Sequence, residues 1–456
     1  MNEISRRNVL TAVAGTGIAA TGIATVERTS AQSVDDNRTL WEYETDGLIG
    51  SSPTVIDGTV YAGSGDYNVY AIDAETGDRR WKFDTNDIVP SSPAVTQRVV
   101  FVTEEWFPGR VFALDAEAGD ELWQYEPEGI VHSSPTVYDG TVFVGSDGLY
   151  AIDATKGERK WRFRPDGFDW EEPGTGSFRC SPVVVDGTVF VGNDGNNVFA
   201  VDADSGEKEW RFDIQSDVAE SDREIISSPT VVDGTVFVGS MDGTLYALNA
   251  ETGKKQWEFG TGDGIWSSPT VFEGAVFFGS QDAHVYALDT VTGDEHWQFE
   301  TGGEVWSSPT VVNGTVFVGS GDQHLYALDR DSGDQRWRYD AGVKVNTGPT
   351  VVDGTAFVGT QTGGLSEEGP GGKIIAIETD EEGSSGGSRV RQGALGHHHT
   401  WAGSVESFPA PGEQAKQTDQ NRMDDLLLPG AVAGAAGLGG IGYALKRRFS
   451  GEDKRK

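Results

Sequence analysis

From about residue 50 to residue 380 the chain repeats one arrangement of apolar and polar positions. The fifth copy shows it most clearly. Ser228-Pro229-Thr230-Val231-Val232 is an apolar extended run, and Asp233-Gly234 is a favoured two-residue hairpin turn. Thr235–Gly239 is a second run, Met241-Asp242-Gly243 a second turn, and Thr244–Leu248 a third run. After Glu251-Thr252-Gly253, the segment Gln256-Trp257-Glu258-Phe259 alternates large apolar and polar residues. Four short antiparallel strands in so few residues predict one blade of a propeller. Pro53, Pro93, Pro135, Pro182, Pro229, Pro269, Pro309 and Pro349 mark eight copies, spaced 40 to 47 residues apart. Trp41, Trp81, Trp123, Trp161, Trp210, Trp257, Trp297 and Trp337 mark the same period, the signature of a repeat fold.

The eighth copy, Pro349 to Glu378, has no Trp at the expected distance. The surplus Trp41 sits in Leu40-Trp41-Glu42-Tyr43, ahead of the first copy. Residues 38–44 are therefore expected to supply the outer strand of the eighth blade, which closes the ring and removes an open sheet edge. The expected fold is all-β: an eight-bladed propeller of four-stranded antiparallel blades over residues 38–380.

Ala71-Ile72-Asp73-Ala74-Glu75-Thr76-Gly77 followed by Trp81 resembles the Ala-x-Asp-x-x-Thr-Gly-x-x-x-Trp repeat of pyrroloquinoline quinone (PQQ) enzymes. Ala287, Asp289, Thr292, Gly293 and Trp297 repeat it unchanged, and the copy ending at Trp257 differs only by Asn249. The resemblance implies a tryptophan-docked propeller in which each of the eight Trp side chains packs onto the next blade. It also implies two kinds of activity. Members that are alcohol or sugar dehydrogenases hold PQQ and a calcium ion, use an Asp as general base, and often carry a disulfide between adjacent cysteines. Members that resemble the assembly lipoprotein BamB, or sensor domains, bind peptides or proteins and catalyse nothing. The platform reading is favoured by the short loops and the missing pair of adjacent cysteines; the dehydrogenase and the extracellular sensor are the alternatives.

The ends carry addresses. Arg6 and Arg7 precede an uncharged run from Val9 to Val26 and a small-residue cleavage pattern at Thr29-Ser30-Ala31, so residues 1–31 resemble a twin-arginine export signal. Residues 381–423 are rich in Gly, Ser and Glu, with Pro409-Ala410-Pro411-Gly412 further on, and are expected to form a flexible stalk. Leu426 to Leu445 is free of charge and long enough for a transmembrane helix. The basic tail 446–456, opening with Lys446-Arg447-Arg448, places that end in the cytoplasm and the propeller outside.

Charge changes the picture of partners. The formal net charge of −37 argues against nucleic acid, whose phosphates need clustered Lys and Arg. With 12 lysines against 23 arginines the chain resembles exported proteins of halophilic archaea, whose acidic surfaces stay soluble in concentrated salt. A single cysteine, Cys180, excludes an internal disulfide and a Cys-based zinc cluster. It stands where most copies have Ser, and it reads as a buried small residue.

Three loops are enlarged: Trp106–Arg110, Pro165–Arg179 and Ile214–Ile226. The last two hold Asp166, Asp169, Glu171, Glu172, Asp217, Glu220, Asp222 and Glu224, hard oxygen groups that suit calcium but equally make a solvated acidic face. His397-His398-His399 lies in the stalk, without surrounding carboxylates. No metal site is assigned, and no catalytic residue. Ligand-binding candidates are sought just before each Ser-Pro entrance: Ile49, Val89, His132, Arg179, Ile226, Trp266, Trp306 and Thr347. Of these, His132, Arg179, Trp266 and Trp306, with the neighbouring Glu304 and Asn346, form the candidate funnel site for a planar or peptide ligand. The expected partners are cell-surface proteins or peptides, and the membrane through the C-terminal helix.

Overall fold

A computed structural model describes residues 38–96, 98–105, 107–166, 176–215, 224–361 and 371–385. Within these the chain forms eight separate four-stranded antiparallel sheets. Blade 1 runs β2 (Thr54–Ile56), β3 (Thr59–Gly63), β4 (Asn68–Asp73) and β5 (Arg79–Asp84), from the central channel outward. Blade 5 runs β18 (Thr230–Val232), β19 (Thr235–Gly239), β20 (Thr244–Asn249) and β21 (Lys255–Gly260), which matches the strands expected from its sequence. Its first hairpin turns at Asp233 (φ 49°) and Gly234 (φ 74°), the left-handed pair that a two-residue turn requires.

Blade 8 has the order β1 (Thr39–Glu44), β32 (Lys373–Glu378), β31 (Thr355–Gly359), β30 (Thr350–Val352). The N-terminal strand thus closes the ring, with Trp41 opposite Ala376. The closure is apolar as well: Ile49, Val60, Ala62, Tyr70 and Ile72 pack with Phe357, Ile374 and Ala376. Such clusters lie between blades all round the ring, so the middle strands are buried on both faces while outer strands such as β5 show alternate residues to solvent.

The tryptophans dock as expected. Seven indole N–H groups donate to a carbonyl of the next blade, from Trp41 to Ala74 O (3.0 Å) round to Trp297 to Arg330 O (2.8 Å). The Thr-Gly turn of that blade covers each of these rings. A Cβ on Gly293 would lie 2.8 Å from Trp257, and the same holds to within 0.2 Å at Gly77, Gly119, Gly157, Gly206, Gly253 and Gly333. The eighth copy has no such glycine. There the Arg38 guanidinium lies over the Trp337 ring at 4.5 Å and pairs with Asp380 at 2.9 Å.

Two expectations need adjustment. A fourth loop is enlarged: β31 and β32 are joined by residues 360–372, where blade 1 uses only 64–67 between β3 and β4. Residues 381–385, assigned above to the stalk, lie against the propeller. Ser385 exchanges hydrogen bonds with the backbone of Val351, and the Glu381 carboxylate accepts from Thr315 and Arg336. Among the described residues no helix is long and apolar enough to cross a membrane. The export signal, most of the stalk with His397–His399, the transmembrane run 426–445 and the basic tail lie outside the described residues.

Candidate functional site

The Ser-Ser-Pro-Thr signature builds the channel in levels. The first Ser of each copy that has one accepts from a backbone N–H of its own blade; Ser51 Oγ accepts from Gly63 N (2.9 Å) and donates to Gly63 O (3.0 Å), whereas Ser227 and Ser307 donate to the next blade. Cys180 does the same work with Gly192, its Sγ accepting from Gly192 N at 3.0 Å. Burial pushes its thiol up to about 12, so it is a packing residue and not a nucleophile. The second Ser links blades. Ser52 N donates to Ser92 Oγ, Ser92 N to Ser134 Oγ, and so on through Ser181, Ser228, Ser268 and Ser308, each at 2.9 to 3.1 Å. Gly348 N adds a seventh link, onto Ser52 Oγ at 2.9 Å, but without a side chain Gly348 offers no matching acceptor to Ser308 N. Thr hydroxyls one turn on repeat the link, as from Thr350 to Pro53 O.

Above this ring the eight copies diverge. The mouth positions are Gly50, Pro90, His132, Arg179, Ile226, Trp266, Trp306 and Asn346, around a cavity of ≈ 260 Å³. Two of the sequence-derived positions, Ile49 and Val89, were therefore one residue out, while Thr347 lines the cavity one step below Asn346. Ile49 and Val89 are wholly buried between blades, and Thr347 is the locking hydroxyl bonded to Gly359. Glu304 is exposed and is not part of the cavity lining; its carbonyl accepts from Gly321 N.

The structure brings His132, Arg179, Trp266, Trp306 and Asn346 together on this one cavity. Trp266 and Trp306 stack face to face, ring centres 5.2 Å apart and planes 4° from parallel. His132 Nδ1 lies 3.0 Å from Glu105, and Arg179 lies 3.0 Å from Glu224. Asn346 Nδ2 donates to Gln361 Oε1 at 3.2 Å. Glu105 and Gln361 were missed by sequence reasoning, although they share one repeat position with Gly65, Met241, Gln281 and Gly321; Glu105 also adjoins the enlarged loop at 106–110, a signal that pointed to it. A wider cleft of ≈ 680 Å³ shares His132 and Arg179 and continues over blades 3 and 4 past Phe107, Ile130 and Asp194. Burial, then the nearby Glu224, raise the Asp194 carboxyl above its usual range. Of the acidic loops, Asp166 is exposed beside Lys208 and Glu224 holds Arg179. Asp169, Glu171, Glu172, Asp217, Glu220 and Asp222 lie outside the described residues.

The resemblance brings PQQ and calcium with it as an expectation, and the described residues of the mouth do not fit that pair. The two carboxylates there are each engaged by a cationic or ionisable partner. Among the described residues no group of three or more His, Cys, Asp and Glu side chains is arranged to hold a metal ion. The two indoles cover one another instead of walling a slot.

Eight four-stranded blades, seven of their junctions docked through an indole, define a tryptophan-docked propeller of the PQQ-repeat class. The family described as outer membrane protein assembly factor BamB matches over residues 5–104, 86–167, 148–265 and 260–387, and the chain belongs to that family. Among curated proteins none matches the chain in sequence. In fold it is similar to BamB from Moraxella catarrhalis (18% identity, 75% of this chain and 98% of that one, TM-score 0.61). It is similar also to quinohemoprotein alcohol dehydrogenase from Comamonas testosteroni (19% identity, 76% of each chain, TM-score 0.61). A europium-containing methanol dehydrogenase aligns equally well (16% identity, 75% of this chain and 93% of that one, TM-score 0.63). Likeness at this identity speaks for the fold alone.

Proposed function

We propose that this chain is a non-catalytic binding and scaffolding propeller, displayed outside the cell and tethered to the membrane. The observation behind this reading is the state of the mouth chemistry. His132 and Arg179 are committed to Glu105 and Glu224, which leaves two stacked indoles and an amide pair as recognition surface for a peptide or protein segment. Membership of the BamB-described family supports a protein partner. Export through Arg6 and Arg7, a stalk beyond residue 385 and anchoring through 426–445 belong to the same proposal, on the strength of the sequence.

The second reading, a PQQ- and calcium-dependent dehydrogenase of alcohols or sugars, rests on the fold shared with such enzymes. One experiment separates the two. The full chain, in high salt with calcium, is titrated with PQQ while tryptophan fluorescence is followed, and dye reduction is then assayed with simple alcohols and sugars. In parallel it is screened against a random peptide library. The platform reading expects no turnover, and saturable peptide binding that W266A and W306A each weaken at least fivefold. Saturable quinone binding with dye reduction overturns it. The sensor alternative adds a membrane partner that co-purifies with the intact chain.

A further inference from the structure

We propose that the chamber under the mouth is an anion site that takes a halide or a small carboxylate. The inference does not depend on the platform reading.

A hydroxyl has one donor and two acceptor positions. Each of Ser52, Ser92, Ser134, Ser181, Ser228, Ser268 and Ser308 has an acceptor position filled by the backbone N–H of the preceding blade. Among the described residues none of their protons has a protein acceptor, and all seven side chains line the chamber of ≈ 260 Å³. The ring therefore turns a circle of O–H donors toward the axis. Two more donors stand on the same wall. Arg179 Nε and Trp306 Nε1 are both buried and meet no acceptor in the protein. Buried donors left in this state are costly, and a protein keeps them where something else supplies the acceptor.

The charged and amide acceptors at the mouth each already face one partner. Glu105 faces His132, Glu224 faces Arg179, and Gln361 Oε1 takes the Asn346 amide. Among the described residues, the buried polar atoms of the lining that have no partner are both donors, Arg179 Nε and Trp306 Nε1, and with the seven hydroxyl protons they complement an anion. Glu105 and Glu224 at the rim repel multiple negative charge, so the occupant is a monoanion. The net charge of −37 does not prevent this, because charges beyond about 10 Å are largely screened at 0.1 M salt while the donors act in contact. The chamber is larger than a bare ion, so the ion keeps part of its water, each molecule needing about 30 Å³.

The test is chlorine-35 NMR on the full-length protein, in which exchange with a protein site broadens the chloride line. Excess broadening is expected, reduced at least threefold in both Arg179→Gln and Trp306→Phe, and unchanged in Arg80→Gln at the outer edge. Competition by acetate and bromide alike supports a site for either anion. Competition by bromide without acetate narrows it to halide. Broadening that is absent, or equal in wild type, R179Q and W306F with all three folded by circular dichroism, overturns the proposal and leaves the chamber to water.

Discussion

Replacing Arg38 with Ala tests how the ring is closed. Seven docked indoles are covered by a glycine turn; Trp337 is covered by the Arg38 guanidinium instead, 4.5 Å from the ring centre. The same side chain donates to Glu378 O at 3.3 Å and to Asp380 at 2.9 Å, tying the N-terminal strand to the end of β32. The Arg38 side chain is only 15% exposed, whereas Asp380 is 69% exposed. The ion pair therefore contributes little, about 0.5 kcal/mol. The stacking contact is partly desolvated and worth about 1 kcal/mol, and the carbonyl bond about 0.5 kcal/mol. The sum is about 2 kcal/mol. For a propeller of about 340 residues, with an unfolding entropy of about 2.1 cal/mol/K per residue, that lowers Tm by about 3 °C. Hydrogen exchange is the sharper assay. In R38A the amides of β1 and β32 should lose protection while those of blades 3 to 6 keep theirs. R38K, which keeps the charge without the planar face, should lie between. A uniform loss round the ring, or no loss at β1, refutes the idea that Arg38 acts as a latch at this one junction.

Gly293→Ala places a Cβ 2.8 Å from the Trp257 ring at a φ of 75°, and should destabilise by about 2 kcal/mol or more, read as a drop in Tm; a neutral result refutes the covering role of the glycine. Ser268→Ala leaves the Ser228 N–H without its partner and should cost about 1–2 kcal/mol in chemical denaturation. Acid lability follows from carboxyls held low: Asp73 is lowered to about 2, first by Arg80, and Asp289 and Asp329 are lowered as well, by the backbone N–H groups of their turns and by Arg336 respectively. Such groups stabilise the fold above their unfolded value and lose that contribution as pH falls through the folded one, so stability should drop between about pH 4 and pH 2, and Asp73→Asn should flatten the slope. Burial raises Glu104, Glu121 and Asp194, which opposes that loss. Removing salt should lower Tm, given the net charge of −37; equal melting in molar and millimolar salt refutes the environmental origin of the charge.

The fold was legible because each blade writes its turns in full. Asp-Gly, Thr-Gly and Trp recur at fixed offsets, and each has one backbone or packing task that few other residues perform. Even the closure could be read, since an unmatched Trp41 and a copy without Trp have only one economical pairing. The mouth was legible only as a neighbourhood. Register there depends on which of two adjacent residues faces the channel, and at Gly50 and Pro90 neither residue advertises itself, so the bulky Ile49 and Val89 drew the assignment into the core. Glu105 and Gln361 share one repeat position, held by Gly65, Met241, Gln281 and Gly321 in other copies, and only the fold shows that this position reaches the mouth, where they meet His132 and Asn346. Arg38 was hidden for a related reason: its partner ring lies some 300 residues away in sequence, and the contact replaces a motif element that is absent.

These departures share a logic. A closed ring constrains every level at which blades touch, and there the copies agree: a hydroxyl or thiol locks each blade, a Ser links it to the next, an indole docks outside. Where the constraint fails, at the eighth junction, a different residue type meets the same need, as Arg38 does over Trp337. The mouth alone is free of closure, and it is there that Gly, Pro, His, Arg, Ile, Trp and Asn alternate round one axis. On the binding reading proposed above, that divergence marks where a ligand is recognised. The search for a ligand therefore belongs at His132, Arg179, Trp266, Trp306 and Asn346, before any other surface of the propeller.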